Sequence, residues 1–178
     1  MGWFVIDLYK EDATKEKIID AIATYNPDFF HPMGHGNEST YTAQNKEIVF
    51  QACVNDDILS ERISYFLSCL VGAELGPSIV RKGGKAFQGW QVEFTWIVDS
   101  PYDPAIDPYA KAFEEMVNSI AEVLLRGGSI REAYNAGVRK ANEWIDYWSR
   151  QDDVRAPEVI KWLLWDKEGL VLLGEETV

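Results

Sequence analysis

"RISYFLSCLVGAELGPSIVRKGGKAFQGW", residues 62–90, contains the pattern that decides the fold. Its first eight residues (62–69) form an apolar run rich in aromatic and β-branched side chains, which is typical of a strand. A short helical stretch interrupted at Gly76-Pro77 follows, and a second run of strand character begins at Lys85. Strand, helix and strand in this order indicate an α/β sheet with parallel pairing.

The same alternation extends toward the amino terminus. WFVIDLY (3–9) predicts a buried strand, and an amphipathic helix with Asp12 or Thr14 as N-cap follows it. DFFHPM (28–33) begins another strand that Pro32 cuts short, since proline has no N–H for a ladder. KEIVFQACV (46–54) predicts one more.

The carboxyl-terminal half predicts helices. They span residues 107–126 and 129–150, and Ser129 with Glu132 forms a capping box for the second. A proline-rich loop covers residues 100–108, and the last residues predict either two short strands or a helix leading into one strand. We expect one α/β domain over residues 1–178, with a mostly parallel central sheet and helices on both faces.

Composition excludes several classes of protein. The 178 residues are 47% hydrophobic, which allows one domain with a sizeable core, and the formal charge of -12 argues against a nucleic-acid partner. The opening MGWFVIDLYK is unlike a secretory signal, and no later stretch is long enough to span a bilayer. We therefore expect a cytoplasmic protein without a membrane partner, in which both cysteines are free thiols. The oligomeric state stays open.

FFHPMGHGN (29–37) holds the chain's two histidines. A zinc site from histidines four residues apart requires a helix, and Pro32, Gly34 and Gly36 all oppose one, so we predict no metal. The plainer alternative is a turn in which His35 is a surface residue.

A thiol raises a second possibility for His35. Cys69 ends an apolar strand just before a predicted helix, where α/β proteins place their sites and where the helix dipole favours the thiolate. If its strand is the parallel neighbour of the strand before His35, both residues leave the same edge as a Cys–His dyad. The alternative for Cys69 is a buried core residue, and Cys53, inside IVFQACV, is predicted to be buried in mid-strand.

GHGN (34–37) and SCLVGAELGPSIVRKGGKAFQGW (68–90) together resemble the caspase-like cysteine peptidases of clan CD. The pattern is closest to bacterial CHAT and gingipain-type domains. Those domains end in LLGDP, which the stretch LVLLGEE (170–176) also resembles. The resemblance implies a three-layer caspase-like fold, with His35 as general acid and base and Cys69 as nucleophile. The backbone N–H groups of Gly36 and Cys69 would form the oxyanion hole, and no cofactor is implied.

These residues lead to a cysteine endopeptidase that acts on protein or peptide substrates. An inactive caspase-like module with a binding or regulatory role is the alternative, and another thiol enzyme on a similar sheet is a third possibility. The acidic composition favours a basic P1 residue, with Glu93 and Asp99 as candidates to line its pocket. Trp90, Phe94 and Trp96 share one face at strand spacing; we expect them to pack in the core, and the alternative is that they form the wall of a substrate groove.

Overall fold

A computed structural model describes residues 2–99 and 106–178. Its five α-helices are α1 (Lys15–Tyr25), α2 (Leu75–Arg81), α3 (Ala110–Leu125), α4 (Ile130–Ser149) and α5 (Ala156–Gly169). Its seven strands are β1 (Phe29–Phe30), β2 (His35–Gly36), β3 (Thr40–Thr42), β4 (Ile48–Gln51), β5 (Ile63–Tyr65), β6 (Ala86–Trp90) and β7 (Leu170–Gly174). The chain is therefore an α/β protein, as predicted. Most of the proline-rich loop, residues 100–105, lies outside the described residues.

The central sheet has the strand order β1-β5-β6-β7. Strands β1, β5 and β6 are parallel, and β7 closes one edge antiparallel to β6. Phe29 pairs with Ile63, and an isolated parallel bridge between Met33 and Leu67 extends the contact beyond both strands. The prediction that the strands before His35 and Cys69 are parallel neighbours is thus confirmed.

A second sheet holds β2, β3 and β4 in antiparallel order. The run at residues 46–54 therefore belongs to this small sheet and not to the central one. Tyr41 and Phe50 pair across β3 and β4, and both rings are buried with Phe66 in one cluster. This contact seats the small sheet on one face of the central sheet.

Helices cover both faces of the central sheet. On one face, Phe66 and Phe87 pack with α1 and α2 through Ile22 and Ile79. On the other face, Tyr65, Ala86 and Trp90 pack with α3 and α4. Side chains alternate between faces along an extended chain, so β6 supplies both clusters, as does β5 together with Phe66, the residue that follows it. A third cluster joins α3, α4 and α5 beside Ile97.

Residues 3–9 do not form the predicted buried strand. The structure gives them no strand pairing, and Phe4 and Val5 are 78% and 70% exposed. Side chains anchor the segment instead: the Trp3 indole donates a hydrogen bond to the Leu125 carbonyl, and the Phe4 ring lies 5.8 Å from that of Tyr25. The high β propensity of these residues led to the prediction of a strand, but a strand also needs a neighbouring backbone to pair with.

Helix ends follow the sequence signals closely. Thr14 caps α1, and Ser129 and Glu132 form the predicted capping box of α4. The end of the chain follows the second alternative, since α5 runs directly into β7. Helix α2 starts at Leu75, so Gly76-Pro77 lies in its first turn and does not interrupt it.

Cys53 is not buried in a strand. β4 ends at Gln51, and Cys53 lies exposed in the following turn with a φ of 63°. The Asn55 side chain closes this turn by accepting from the Gln51 N–H at 2.9 Å and donating to the Val49 carbonyl at 2.8 Å. Asparagine competes with the strand ladder in this way, which ends the strand early.

Within the described ranges, no helix combines the length and apolar character needed to cross a bilayer.

Candidate active site

The chain segments that carry His35 and Cys69 leave the same edge of the central sheet. The Leu67 N–H donates to the Pro32 carbonyl at 3.0 Å, and the Gly34 N–H donates to the Leu67 carbonyl at 3.1 Å. These two bonds carry the parallel contact past the ends of β1 and β5. This edge is the carboxyl end of the parallel strands, where α/β proteins bind ligands.

Gly36 lies directly against the loop that contains Cys69. A Cβ atom added to Gly36 would lie 2.5 Å from Ser68 Oγ, 2.6 Å from Val71 Cγ1 and 2.9 Å from the Cys69 carbonyl oxygen. Real Cβ atoms do not approach backbone this closely, so only glycine allows the contact. The loop that carries His35 and the loop that carries Cys69 are therefore in van der Waals contact.

The His35 side chain points to the outer side of its hairpin. Gly36 pairs with buried Tyr41, whereas His35 pairs with Thr42, and strand neighbours point to opposite faces. His35 is exposed and helps to line an open pocket of about 310 Å³, whose other lining residues are Gly36, Asn37, Thr40, Thr42 and Lys46. Cys69, which the structure also describes, is not among the residues of this pocket.

The Cys69 side chain is half-buried on the other side of the contact. Its sulfur lies 3.9 Å from the Phe94 carbonyl oxygen, to which the thiol can donate a weak hydrogen bond. The next residue, Leu70, has a φ of 63°, a conformation that is costly for a branched side chain. Two backbone bonds hold it there: the Leu70 N–H donates to Val92 at 2.9 Å, and the Ala73 N–H donates to Leu70 at 2.9 Å.

Two backbone donors at this edge are not used by the sheets. The Asn37 N–H donates to the Thr40 carbonyl, so Gly36 and Tyr41 form the alternate pair without ladder bonds, and the Gly36 N–H points away from β3. Among the described residues, the Cys69 N–H has no hydrogen-bond partner. Both groups are therefore unused donors within the part of the chain that the structure describes.

The helix dipole contributes less at Cys69 than its sequence position indicates. Helix α2 begins at Leu75, and residues 70–74 form turns between Cys69 and that helix. The expectation that Cys69 lies just before a helix N-terminus is therefore wrong. Because dipole effects fade within one turn, any activation of the thiol must come from neighbouring groups.

The two acidic residues predicted near the substrate lie in different surroundings. Glu93 is exposed on the segment that follows β6, next to the Phe94 carbonyl that contacts Cys69. Asp99 is half-buried, and its carboxylate lies 3.9 Å from the Arg155 guanidinium, which anchors it beside α5. Of the predicted core aromatics, Trp90 is buried, Phe94 is half-buried, and Trp96 is exposed beyond the end of β6.

His31 serves the core of the protein. Its ring stacks on that of Tyr65 with centroids 4.4 Å apart, and Nδ1 is hydrogen-bonded to the Tyr65 carbonyl oxygen at 2.7 Å. Burial lowers the pKa of His31, although this hydrogen bond acts in the opposite direction. The described residues contain no group of three or more side chains arranged to hold a metal.

Sequence reasoning missed Asp166, which is fully buried on α5. Its Oδ1 accepts a hydrogen bond from the Thr95 N–H at 3.0 Å, and burial raises its pKa to about 8 in spite of that bond. A signal was present: Val159, Leu163 and Asp166 recur at helical spacing, which places the aspartate on the apolar stripe of α5.

No model of a known protein family matches this chain, and a search of curated proteins found no match either.

Proposed function

We propose that the chain is a cysteine endopeptidase with Cys69 as nucleophile and His35 as general acid and base. The observation that carries the proposal is the contact between the two loops at one edge of the parallel sheet. Gly36 touches the Cys69 loop, and the N–H groups of Gly36 and Cys69 have no acceptor among the described residues. Donors fixed at an oxyanion are worth about 10²–10³ in rate.

The reaction runs in two steps at these atoms. His35 takes the proton of the Cys69 thiol, the sulfur attacks the peptide carbonyl, the C–N bond breaks, and His35 gives that proton to the leaving amine, which leaves a thioester on Cys69. His35 then takes a proton from water, whose oxygen attacks the thioester; the C–S bond breaks, the acid is released, and His35 returns the proton to the Cys69 sulfur. In the structure the His35 ring and the Cys69 sulfur lie on opposite sides of the loop contact, so the proposed reaction requires substrate binding to bring both side chains to one peptide bond.

The proposal extends to the fold and the compartment. We infer a caspase-like arrangement of three layers, in which helices cover both faces of the parallel sheet. Both cysteines are free thiols, which supports a reducing, cytoplasmic location.

Single substitutions in the full chain test the proposed enzyme. Cys69→Ala should reduce cleavage of a peptide library by about 10⁴-fold or more, since removal of a nucleophile eliminates the covalent route. Cys53→Ala should keep full activity, because Cys53 lies beyond β4 in a different turn. A peptidyl acyloxymethyl ketone should alkylate Cys69 alone, which adds the mass of the peptidyl methyl ketone group and releases the carboxylate. Cleavage that survives in Cys69→Ala would rule out the proposed nucleophile.

The P1 preference follows from charge. Acidic residues outnumber basic residues 29 to 17, and Glu93 is exposed beside the Phe94 carbonyl. We therefore expect Arg or Lys at P1, with Glu93→Gln reducing kcat/KM for basic substrates more than for neutral ones. Asp57→Gln is a matched control, because Asp57 is exposed beside the Cys53 turn. A library profile dominated by Asp at P1 would contradict this assignment.

A second candidate function is an inactive caspase-like binding module. The observations that favour it are the outward direction of His35 and the Phe94 carbonyl beside the Cys69 thiol. Such a module would cleave no library peptide, and wild type and Cys69→Ala would bind a given peptide equally. A covalent acyl adduct on Cys69 would exclude it.

A further inference from the structure

The chain that follows β6 runs along Cys69 without forming a strand of its own. We call residues 92–96 the wall segment. It contacts the Cys69 loop twice: the Leu70 N–H donates to the Val92 carbonyl at 2.9 Å, and the Phe94 carbonyl lies 3.9 Å from the Cys69 sulfur. The position of the wall segment therefore decides how open the thiol is.

Helix α5 holds the wall segment from the opposite side. The Trp165 indole N–H donates to the Glu93 carbonyl at 2.9 Å, and the Thr95 N–H donates to Asp166 Oδ1 at 3.0 Å. These two bonds bracket Phe94, the residue whose carbonyl contacts Cys69. Within the described residues, no strand or helix includes the wall segment, so these side chains are major anchors.

Asp166 is an unusual choice for this anchor. It is fully buried, and its Oδ2 atom has no hydrogen-bond partner among the described residues. Its backbone carbonyl also accepts from the Trp90 indole at 3.0 Å, which fixes this turn of α5 to β6. Burying a carboxyl with one unpaired oxygen costs folding free energy, and leucine at this position would avoid that cost. The hydrogen bond to the Thr95 N–H is what an aspartate adds here.

We propose that Trp165 and Asp166 are positioning residues that hold the wall segment against Cys69 and so set the accessibility of its thiol. Neither residue touches the reacting atoms; they act through Glu93, Phe94 and Thr95. One consequence rests on the proposed function: if the chain cleaves peptides, the wall segment also shapes the cleft that binds them. The accessibility of Cys69 is independent of whether the chain cleaves anything.

The test measures the alkylation of Cys69 by iodoacetamide in the full chain carrying Cys53→Ser, followed by mass spectrometry at pH 7. Asp166→Leu removes the acceptor for Thr95, and the Cys69 rate should rise about five- to tenfold as the wall segment opens. Asp166→Asn retains a carbonyl oxygen for the same bond, and its rate should stay within about twofold of wild type. A general loss of packing would not separate leucine from asparagine in this way.

A second variant tests the proposal even if Asp166→Leu does not fold. Trp165 is 45% exposed, so Trp165→Phe removes its N–H with little effect on the core, and Cys69 should react about two- to fivefold faster. Glu168→Gln, at an exposed position on the same helix, should change nothing. If Trp165→Phe and a folded Asp166→Leu both label Cys69 at the wild-type rate, the proposal is wrong.

Peptide cleavage separates this proposal from the proposed enzyme. If the wall segment shapes the cleft, Trp165→Phe should raise KM for peptides more than it lowers kcat. If no variant cleaves any peptide while the labelling rates still change as stated, the enzyme is refuted and the role of Trp165 and Asp166 stands. Active enzyme with unchanged labelling refutes the positioning role alone.

Discussion

Two aspartates, Asp56 and Asp166, are both fully buried, and each stabilises the surroundings of one cysteine. Asp56 follows the Cys53 turn and pairs with the Lys82 amino group at 2.8 Å. Asp166 anchors the wall segment beside Cys69, and no cation within the described residues forms an ion pair with it. Burial opposes ionisation at both sites, yet the pKa of Asp56 is lowered and that of Asp166 is raised to about 8.

The partners of each carboxyl explain the difference. At Asp56, the Lys82 ammonium, whose nitrogen lies 2.8 Å from Oδ1, outweighs the cost of burial. At Asp166, the single hydrogen bond from the Thr95 N–H does not outweigh the cost of burying the charged carboxylate. Burial therefore does not fix the charge state of a carboxyl; the hydrogen-bond donors around it do. The Cys53 turn depends on an ion pair, whereas the Cys69 wall depends on a neutral acid.

The largest expected effect is the pH dependence caused by Asp166. The folded chain keeps the Asp166 proton up to about pH 8, whereas the unfolded chain releases it near the ordinary pKa of 3.8. Stability from this group is thus complete below the unfolded pKa and is lost as pH rises toward 8, by about 1.4 kcal/mol per pH unit. Between pH 5 and 7 the loss is about 3 kcal/mol.

Asp166→Asn should remove this slope, because asparagine does not titrate. Urea unfolding of both proteins at pH 5, 6, 7 and 8 measures the difference, and Glu168→Gln serves as the exposed control. The two curves should converge toward low pH, with the variant more stable at pH 7. A difference between them that is the same at every pH would show that Asp166 is ionised throughout, and the contrast with Asp56 would vanish.

Asp56 should show the opposite sign. Its folded pKa is lowered, so its contribution is present above the ordinary value of 3.8 and is lost as pH falls through the folded pKa. Asp56→Asn should cost about 2 kcal/mol at pH 7, the range for hydrogen bonds to charged groups, and less below pH 4. Asp57→Asn is the control, since Asp57 is exposed and 4.0 Å from the Lys82 amino group. Equal effects of the two changes would contradict a special role for Asp56.

Gly36→Ala tests whether the Cys69 region depends on steric contact more than on charge. The added Cβ meets Ser68, Val71 and the Cys69 carbonyl at under 3.0 Å, so we expect a loss of about 1–3 kcal/mol that does not vary with pH. Gly2→Ala is the control, because no atom lies within 4 Å of its new methyl group. Adding Ser68→Ala should recover part of the loss. A tolerated Gly36→Ala would mean that the two loops separate freely.

Local sequence signals predicted the parts of the fold that depend on local bonds. The capping box of α4 is such a case, because Ser129 and Glu132 satisfy each other's donors within one turn. The parallel pairing of β5 with β6 was also predictable, since strand, helix and strand follow one another there and restrict the connection. The common edge of the His35 and Cys69 loops depends on the pairing of β1 with β5, which are connected through the small antiparallel sheet.

Features that depend on distant partners could not be read in the same way. Residues 3–9 have the composition of a strand, but composition does not reveal whether a partner backbone is near. Cys53 follows an apolar run, and only the bonds of the Asn55 side chain show where that run ends. The charge of Asp166 depends on which donors the fold brings to it. The direction of His35 depends on the register of β2 with β3.

The smallest expected effect separates the two thiols. Cys53 is exposed, so it should react with iodoacetamide in the folded protein. Cys69 is half-buried, but if it forms the proposed dyad with His35 it should react about tenfold faster than Cys53 at pH 6.5. His35→Ala should move the Cys69 profile to higher pH and leave Cys53 unchanged; His31→Ala should alter neither, because the His31 ring is bound to Tyr65. Mass-spectrometric labelling of both cysteines in wild type, His35→Ala and His31→Ala from pH 6 to 9 measures these profiles. A Cys69 profile indifferent to His35 would leave the Gly-His-Gly segment as a turn and favour the binding module.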